Sequence, residues 1–215
     1  MRIIRVEHGG TSYYGILEDG LVFRLHQQPG HMEPIPLSEA KVLPLVTPSK
    51  VVCVGLNYKA HAEELGYPLP NMPSFFLKPP SSIIGNGEPI VLPSGMGRIE
   101  HEAELAMVVG KVCRNLTPEE AEESLFGFTC ANDVTAREVQ KVDPLIGHCK
   151  SYDTFCPIGP WIETELEDIN DLSIRCLVNG EVRQSANTGD MIFRPLDLLC
   201  FLSRVMTLMP GDVIL

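Results

Sequence analysis

The chain has 215 residues, a hydrophobic fraction of 44% and a formal net charge of −11 at pH 7. This length is enough for one sizeable hydrophobic core and a small second unit. The negative charge argues against nucleic acid or an anionic membrane surface as a partner. No apolar run approaches the roughly 18 residues of a transmembrane helix. We therefore expect a globular protein that binds neither nucleic acid nor membranes.

The seven cysteines are odd in number, lie mostly in apolar strings such as Val-Val-Cys-Val, and never form C-x-x-C. We interpret them as reduced core thiols and not as a disulfide framework or a zinc site. The first eight residues lack the apolar stretch of a signal peptide. Together these features lead us to expect a cytoplasmic protein.

Residues 1–47 are predicted to form a small N-terminal β domain. β-Prone runs at 2–6, 13–17 and 21–25 are separated by His-Gly-Gly-Thr and Glu-Asp-Gly, which are typical of turns. Thr-Pro-Ser-Lys at 47–50 is typical of a linker into the main domain, 48–215.

The main domain is predicted to be α+β and β-rich. Strands are predicted at 51–54, 75–77, 99–109, 128–132, 173–178 and 181–185, with Asn179-Gly180 as a hairpin turn. The segment 209–215 is predicted to turn through Pro-Gly-Asp into a final apolar strand. Helices are predicted at 58–65 after an Asn57 cap, from the Thr117 capping box to near Gly127, from Thr135-x-x-Glu138, and at 195–208.

Three glutamates alternate along the predicted strand at 99–109. Side chains two apart on a strand project the same way, so Glu100, Glu102 and Glu104 would share one face. Alternate Cα atoms are roughly 6.5–7 Å apart, so Glu102 and Glu104 can reach one ion, and Asp133 at a neighbouring strand end would complete the set. Oxygen ligands suit Mg²⁺ or Ca²⁺. The alternative is a solvated strand face beside a turn-forming aspartate.

Two further groups suggest chemistry. His61 and Glu64 are three residues apart on a predicted helix, and a carboxylate that orients an imidazole makes a general base. Lys150 lies among small and apolar residues, where it would stabilise an oxyanion. The alternatives are an ordinary surface pair and a lysine whose ammonium reaches solvent. Arg137 and Gln140 lie on a predicted helix that begins beside Asp133. The alternative is that these side chains form an ordinary solvent-exposed face of that helix.

Seven segments occur in the order and approximate spacing of the fumarylacetoacetate hydrolase superfamily: VGLNYKAHAEE, FFLKP, IEHEAELAMVVGK, ANDVTAREVQ, CKSYDTFCPIGPW, VNGEVRQ and MIF. The resemblance covers about residues 48–215. It is closest to the short members, which are acylpyruvate hydrolases, oxaloacetate decarboxylases or tautomerases, and 2-hydroxyhepta-2,4-diene-1,7-dioate isomerases. It implies the family's mixed β-roll with peripheral helices, and usually a homodimer.

The resemblance also implies roles for residues. It implies Glu102, Glu104 and Asp133 as ligands of Mg²⁺ or Mn²⁺ (Ca²⁺ in crystals), His61 and Glu64 as a water-activating dyad, and Lys150 as a residue that faces substrate. Asn57, Tyr58, Arg137 and Gln140 stand in the matching motifs and are predicted to bind substrate. Family members continue past Gly-Asp-Val-Ile-Leu with Thr-Gly-Thr-Pro, so we expect a catalytic domain cut short at its C-terminal end.

The implied activity is a metal-dependent reaction of a small 2-oxo or 2,4-dioxo acid or dicarboxylate through a metal-stabilised enolate. The dyad favours C–C hydrolysis or decarboxylation. Isomerisation or tautomerisation on the same site stays open, as do a non-catalytic metal- or ligand-binding protein and a structural β protein with solvated acids.

Overall fold

The computed structural model of the chain describes residues 1–25 and 33–215. Within these residues the strands are β1 (Arg2–His8), β2 (Thr11–Glu18), β3 (Leu21–Arg24), β4 (Ile35–Pro36), β5 (Lys41–Val42), β6 (Val51–Gly55), β7 (Ser74–Lys78), β8 (Ile83–Ile84), β9 (Ile99–Glu100), β10 (Ala103–Val109), β11 (Leu125–Asn132), β12 (Thr135–Ala136), β13 (Cys156–Glu163), β14 (Ser173–Val178), β15 (Glu181–Asn187) and β16 (Val213–Ile214). The helices are α1 (Lys59–Leu65), α2 (Pro118–Ser124), α3 (Arg137–Val142), α4 (Gly147–Lys150) and α5 (Pro195–Val205). The predicted α+β, strand-rich class is confirmed. In this described part, none of the helices has the length and apolar character needed to traverse a bilayer.

One large mixed sheet organises the fold. Its strand order is β4-β3-β2-β1-β13-β11-β10-β16-β6-β7, with β5 beside β1 and β8 beside β13. The pairs β16–β6 and β13–β8 are parallel, and the others are antiparallel. The N-terminal strands continue this sheet through β1 and β13, where Ile3 lies opposite Ile162. The hairpin β14–β15 and the short pair β9–β12 lie outside it.

Strand β10 is buried on both faces, which explains its apolar run. Ala106 and Val108 belong to a core shared with the N-terminal strands. Met107 and Val109, which point the other way, belong to a second core that contains helix α5. Full burial of a side chain of this size contributes about 1.5–3 kcal/mol. This doubly buried strand fixes the position of the glutamates at its N-terminal end.

Several predicted element boundaries were wrong. Asn57 does not cap α1: Tyr58 is the N-cap residue without a side-chain bond. Asn57 instead pairs with the backbone of Phe193, accepting from its N–H at 2.8 Å and donating to its carbonyl at 3.0 Å. The α1 end is as predicted, because Gly66 adopts φ +68° there.

The capping box of α2 is confirmed, since Thr117 and Glu120 exchange both bonds. Helix α2 nevertheless ends at Ser124, and the following strand begins at Leu125. The proposed box at Thr135 was wrong because that residue lies in strand β12, and its hydroxyl donates to the Asp133 carbonyl. The predicted turn and final strand within 209–215 are confirmed, with the turn at Pro210 and Gly211 and the strand at Val213–Ile214.

Asp212 joins the segment before β6 to the last strand. Its side chain is fully buried and accepts from the backbone N–H groups of Ser49, Lys50 and Met209, and it pairs with the Lys50 ammonium at 2.5 Å. Burial raises the pKa of this carboxyl, but the Lys50 bond and the backbone donors outweigh it and hold the pKa below its usual value. The carboxylate therefore stabilises the fold as a charged group.

We expect Asp212→Ala to lower the free energy of unfolding by about 3–5 kcal/mol, because it leaves the Lys50 ammonium and three backbone N–H groups without their partner. Urea unfolding at pH 7 would measure this. Glu123→Ala is the control, since Glu123 forms an exposed pair with Lys111 and should change the free energy by less than about 1 kcal/mol. Equal losses in both variants would contradict the role of Asp212.

Candidate metal centre

The acidic residues meet where an antiparallel ladder is interrupted. Strand β10 pairs with β11 up to Ala103 and Asn132, and β9 pairs with β12 from Glu100 and Thr135. The two intervening residues on each side leave the register unchanged. The predicted continuous strand at 99–109 was therefore wrong at His101 and Glu102, the two residues between β9 and β10.

Glu102 and Asp133 face one another across this interruption. The Asp133 N–H donates to the Glu102 carbonyl at 2.8 Å, and the Glu102 N–H donates to the Asn132 side chain at 2.9 Å. Val134 leaves the ladder to bond Phe155. The interruption thus places one acid from each strand at the same point.

A buried lysine lies between these two acids. Lys150 Nζ is 2.5 Å from Glu102 Oε2 and 2.6 Å from Asp133 Oδ2, and the residue is 3% exposed. The alternative of a solvent-reaching Lys150 was wrong. Burial lowers the pKa of Lys150, but Asp133 and Glu102 outweigh it and raise the pKa above its usual value. Lys150 therefore carries a proton inside the site.

Arg137 holds the other side of Glu102. Its Nη2 lies 2.6 Å from Glu102 Oε1, its Nε lies 2.6 Å from Glu100, and its Nη1 donates to Gln140 at 2.9 Å. Burial raises the pKa of Glu102, but Lys150 and Arg137 outweigh it and lower the pKa. Arg137 and Gln140, both predicted to bind substrate, therefore adjoin the acids, and α3 is not merely a solvated face.

Lys78 belongs to the site and was not singled out from the sequence. It is 1% exposed, and its Nζ lies 2.6 Å from Asp133 Oδ1. A signal was present in the sequence: the apolar run of β7 ends in this lysine, directly before two prolines. Asp133 consequently has one lysine on each oxygen.

Glu104 contrasts with the other two acids. Its backbone pairs with Ala131 in the β10–β11 ladder, whereas its side chain forms no hydrogen bond or ion pair with a described residue. Burial, followed by the charges of Asp133 and Glu102, raises the pKa of Glu104 to about 8. An unpaired carboxylate beside two more oxygen donors suits a hard divalent cation.

The three acids do not yet form a closed ligand set. Within residues 1–25 and 33–215, no three His, Cys, Asp or Glu side chains converge as they would around an ion. The Lys150 ammonium lies between two of them instead. Carboxylate oxygens are the donors that suit a hard divalent cation, and in this structure the Lys150 ammonium occupies the space between the Glu102 and Asp133 oxygens.

The residues around helix α1 divide into two groups. The Tyr58 hydroxyl is buried without a hydrogen-bond partner, and burial and the Glu104 charge raise its pKa above the usual value. Asn57 is buried and serves the backbone of Phe193. Tyr58 is therefore close enough to Glu104 for its charge to act on the hydroxyl, whereas the Asn57 side chain bonds the backbone of Phe193 and so fixes the segment that leads into α1.

The predicted dyad lies on the surface of α1. His61 Nδ1 is 3.5 Å from Glu64 Oε2, and the two side chains are 53% and 78% exposed. Among the described residues, each of these two side chains has the other as its hydrogen-bond partner. The structure therefore forms the pair without linking it to Glu102, Glu104 or Asp133.

A cavity of about 270 Å³ opens beside the ladder interruption. Glu100, His101 and Asn132 line it together with apolar side chains such as Ile99 and Val134. The His101 Nδ1 atom is buried without a hydrogen-bond partner. No lysine or arginine of the described residues lines this cavity, so its lining does not favour a dianion.

The sequence matches the family described as fumarylacetoacetate (FAA) hydrolase C-terminal over residues 50–215, and Rv2993c-like, N-terminal over residues 1–44. The chain therefore belongs to the fumarylacetoacetate hydrolase family. An uncharacterized protein of Archaeoglobus fulgidus is 47% identical over 180 residues, which are 84% of this chain and 72% of that protein. Human mitochondrial oxaloacetate tautomerase FAHD2A is 43% identical over 188 residues, 84% of this chain and 59% of the tautomerase.

Solved structures agree with this assignment. The 5-carboxymethyl-2-hydroxymuconate delta-isomerase of Mycobacterium smegmatis has a TM-score of 0.90 and 40% identity, covering 100% of this chain and 86% of that one. Maleylpyruvate hydrolase from Sphingobium sp. SYK-6, solved with manganese(II) and pyruvate, has a TM-score of 0.82 and 31% identity, covering 100% and 87%. The predicted fold type is thereby confirmed.

The raised pKa of Glu104 gives a testable pH dependence. The folded, metal-free protein binds this proton more tightly than the unfolded chain, so the free energy of unfolding falls as pH rises from 4.5 towards about 8. Glutamine does not ionise, so the Glu104→Gln variant should not show this fall in the free energy of unfolding. We expect the variant to exceed the wild type by about 1–3 kcal/mol at pH 8, less than the full shift implies because solvent screens a half-buried group, with little difference at pH 5.

Urea unfolding in a chelator at both pH values would measure the difference. Glu102→Gln is the matched control: the pKa of Glu102 is lowered, so its removal should destabilise the protein at pH 8. A Glu104→Gln variant less stable than wild type at pH 8 would contradict the assignment.

Proposed function

We propose that the chain is an enzyme that uses a divalent cation to act on small 2-oxo or 2,4-dioxo acids, and that its reaction is proton transfer beside the keto group, as in tautomerisation or isomerisation. The observation that carries this proposal is the protonated Lys150 between Glu102 and Asp133, with Glu104 two residues along the same strand from Glu102. Its support from relatives is the tautomerase at 43% identity and the isomerase at 40% identity.

The acids and the metal have separate tasks in this proposal. Glu102, Glu104 and Asp133 would hold Mg²⁺ or Mn²⁺, which when bound supplies positive charge for the oxygens of an oxo acid. The manganese in the related hydrolase supports this choice of ion. Lys78 and Arg137 fix the Asp133 and Glu102 carboxylates in place, and Lys150 and Arg137 lower the pKa of Glu102. Ionised, immobile carboxylates are the ligands that such a site requires.

The residues of this chain also provide the proton chemistry. From the keto form, tautomerisation removes a proton from the carbon beside the keto group and adds one to the keto oxygen. In this proposal the Lys150 ammonium gives its proton to the oxygen and the resulting amine takes the proton from the carbon, so Lys150 ends as it began. Lys150 holds a proton at Nζ between two acids, where it can donate to an oxygen on which charge develops. Three of the five N–H donors of Arg137 bond Glu100, Gln140 and Glu102. The other two can donate to a substrate carboxylate.

C–C hydrolysis or decarboxylation is the second candidate, and it was the preference from sequence. Its support is the His61–Glu64 pair, together with the maleylpyruvate hydrolase at 31% identity. In this reaction the His61 imidazole takes a proton from water, and Glu64 orients the ring. Ala62 is the one buried residue of α1, which suits a lid that closes over substrate. A non-catalytic metal-binding protein is a third reading, and turnover separates it from both.

A homodimer and a cytoplasmic location stay predictions from the family resemblance and the sequence. Light scattering at micromolar concentration measures the first, and a monomer would contradict it.

The central test is a turnover screen with oxaloacetate enol and acetylpyruvate. We expect turnover that depends on Mn²⁺.

Calorimetry tests the metal ligands. We expect Glu104→Ala and Glu102→Ala to abolish Mn²⁺ binding, because each removes an oxygen ligand. Glu181→Ala, which removes an exposed glutamate paired with Arg183, should bind as wild type. Undiminished binding in both site variants would refute the metal site.

His61→Ala tests the second candidate. We expect it to lower kcat for acetylpyruvate hydrolysis by about 10²–10⁴, the usual effect of removing a general base, without changing Mn²⁺ affinity. Stopped-flow or steady-state absorbance would measure the rate. If the variant hydrolyses acetylpyruvate at the wild-type rate, the dyad has no role in hydrolysis.

A further inference from the structure

A glutamine from the outlying hairpin bonds the strand that carries the glutamates. Gln184 Oε1 accepts from the Ala103 N–H at 2.8 Å, and Gln184 Nε2 donates to the Ala103 carbonyl at 2.9 Å. Ala103 stands between Glu102 and Glu104. The side-chain amide thus contacts the backbone midway between two of the proposed metal ligands.

This contact replaces a missing neighbour strand. On that edge β10 pairs with β16, but β16 is two residues long and reaches only Met107 and Val108. The backbone groups of Ala103 lie beyond it. A carboxamide carries one donor side and one acceptor side, as a peptide group does, so Gln184 completes the hydrogen bonding of Ala103 where the sheet does not extend.

The opposite edge of the same segment is also fixed. The Glu102 N–H donates to Asn132, and the Glu102 carbonyl accepts from Asp133. The backbone at residues 102–103 is therefore held from β11 on one side and from Gln184 on the other. Loss of Gln184 would leave only the β11 side.

We propose that Gln184 is a positioning residue for the metal carboxylates: it sets the backbone of Ala103 so that Glu102 and Glu104 project at the spacing needed to hold one divalent cation. This inference rests on the proposed metal-dependent function. Metal sites demand that ligands be held within about 0.5 Å, and outer groups that orient ligands typically contribute 10–100-fold to affinity.

The hairpin has its own anchors, so the role of Gln184 can be separated from folding. At the base of the hairpin the Leu172 N–H donates to the Thr188 hydroxyl at 2.8 Å, and Asn187 donates to Asp171 at 2.9 Å. The three residues before Gln184 on β15 are exposed. Removing the amide should therefore leave the hairpin formed.

The test compares Gln184→Met, which keeps the side-chain length without hydrogen bonds, with the wild type. We expect the Kd for Mn²⁺, measured by calorimetry, to rise about 10–100-fold. The rise in Tm produced by Mn²⁺ should shrink correspondingly, because it reports affinity for the folded state. A purely structural role would lower Tm equally with and without Mn²⁺ and leave Kd unchanged, which would overturn the proposal.

Two further variants complete the design. Val182→Ala lies on the same hairpin, is exposed and does not bond β10, so its Kd should match the wild type; an equal loss there would overturn the specific role of Gln184. Gln184→Asn keeps both amide groups on a side chain one methylene shorter and adds no charge, so it should give an intermediate Kd even if the methionine variant does not fold. Wild-type protein that fails to bind Mn²⁺ would refute the proposed function and this role with it, whereas wild-type binding with an unchanged variant would refute the role of Gln184 alone.

Discussion

The ammonium of Lys150 is the interaction on which the site depends. It lies between Glu102 and Asp133, which come from opposite sides of an interrupted ladder, and it is almost fully buried. Two carboxylates this close would repel in a poorly solvated place. Removing one partner of a buried pair typically costs about 3–5 kcal/mol because a charge is left uncompensated. The lysine therefore makes it feasible for two strands to deliver acids to one point.

The interruption of the ladder is small in structural terms, and this is why the sheet tolerates it. The register is the same before and after it, so the apolar alternation of β10 and β11 is not shifted to the wrong face. At the interruption the residues Glu102 and Asp133 keep one backbone bond to each other. The fold thus supplies a local irregularity at a functional position without losing the core that β10 builds on both faces.

Elements with strong local sequence signals were predicted correctly. Features that depend on contacts between residues far apart in the chain were not predicted. The capping box at Thr117 and the hairpin at Asn179-Gly180 are local patterns, and each was found. The alternating acids were predicted on one continuous strand, which is interrupted at His101 and Glu102. Strand β13 was missed because Pro157 and Pro160 are typical of segments outside a sheet interior, and it is accommodated beside a register irregularity in β11. Lys78 bonds Asp133, and Gln184 bonds the backbone of Ala103 between two of the acids. Both contacts join residues far apart in the sequence, so no local pattern predicts them. The family resemblance implied only that Lys150 faces substrate, and its ion pair with Asp133 became visible only in the structure.

Side-chain amides appear wherever the irregular backbone around the acids lacks a partner. Gln184 bonds Ala103, Asn132 bonds the Glu102 N–H, and Asn57 bonds Phe193 ahead of helix α1. Backbone N–H and carbonyl groups in such places must be paired, and an amide can pair both. An acid or a lysine could bond one of them but would add charge beside the cluster, and it would change the pKa of Glu102, which Lys150 and Arg137 lower. Neutral amides fix the backbone and leave the electrostatics of the site to the charged residues alone.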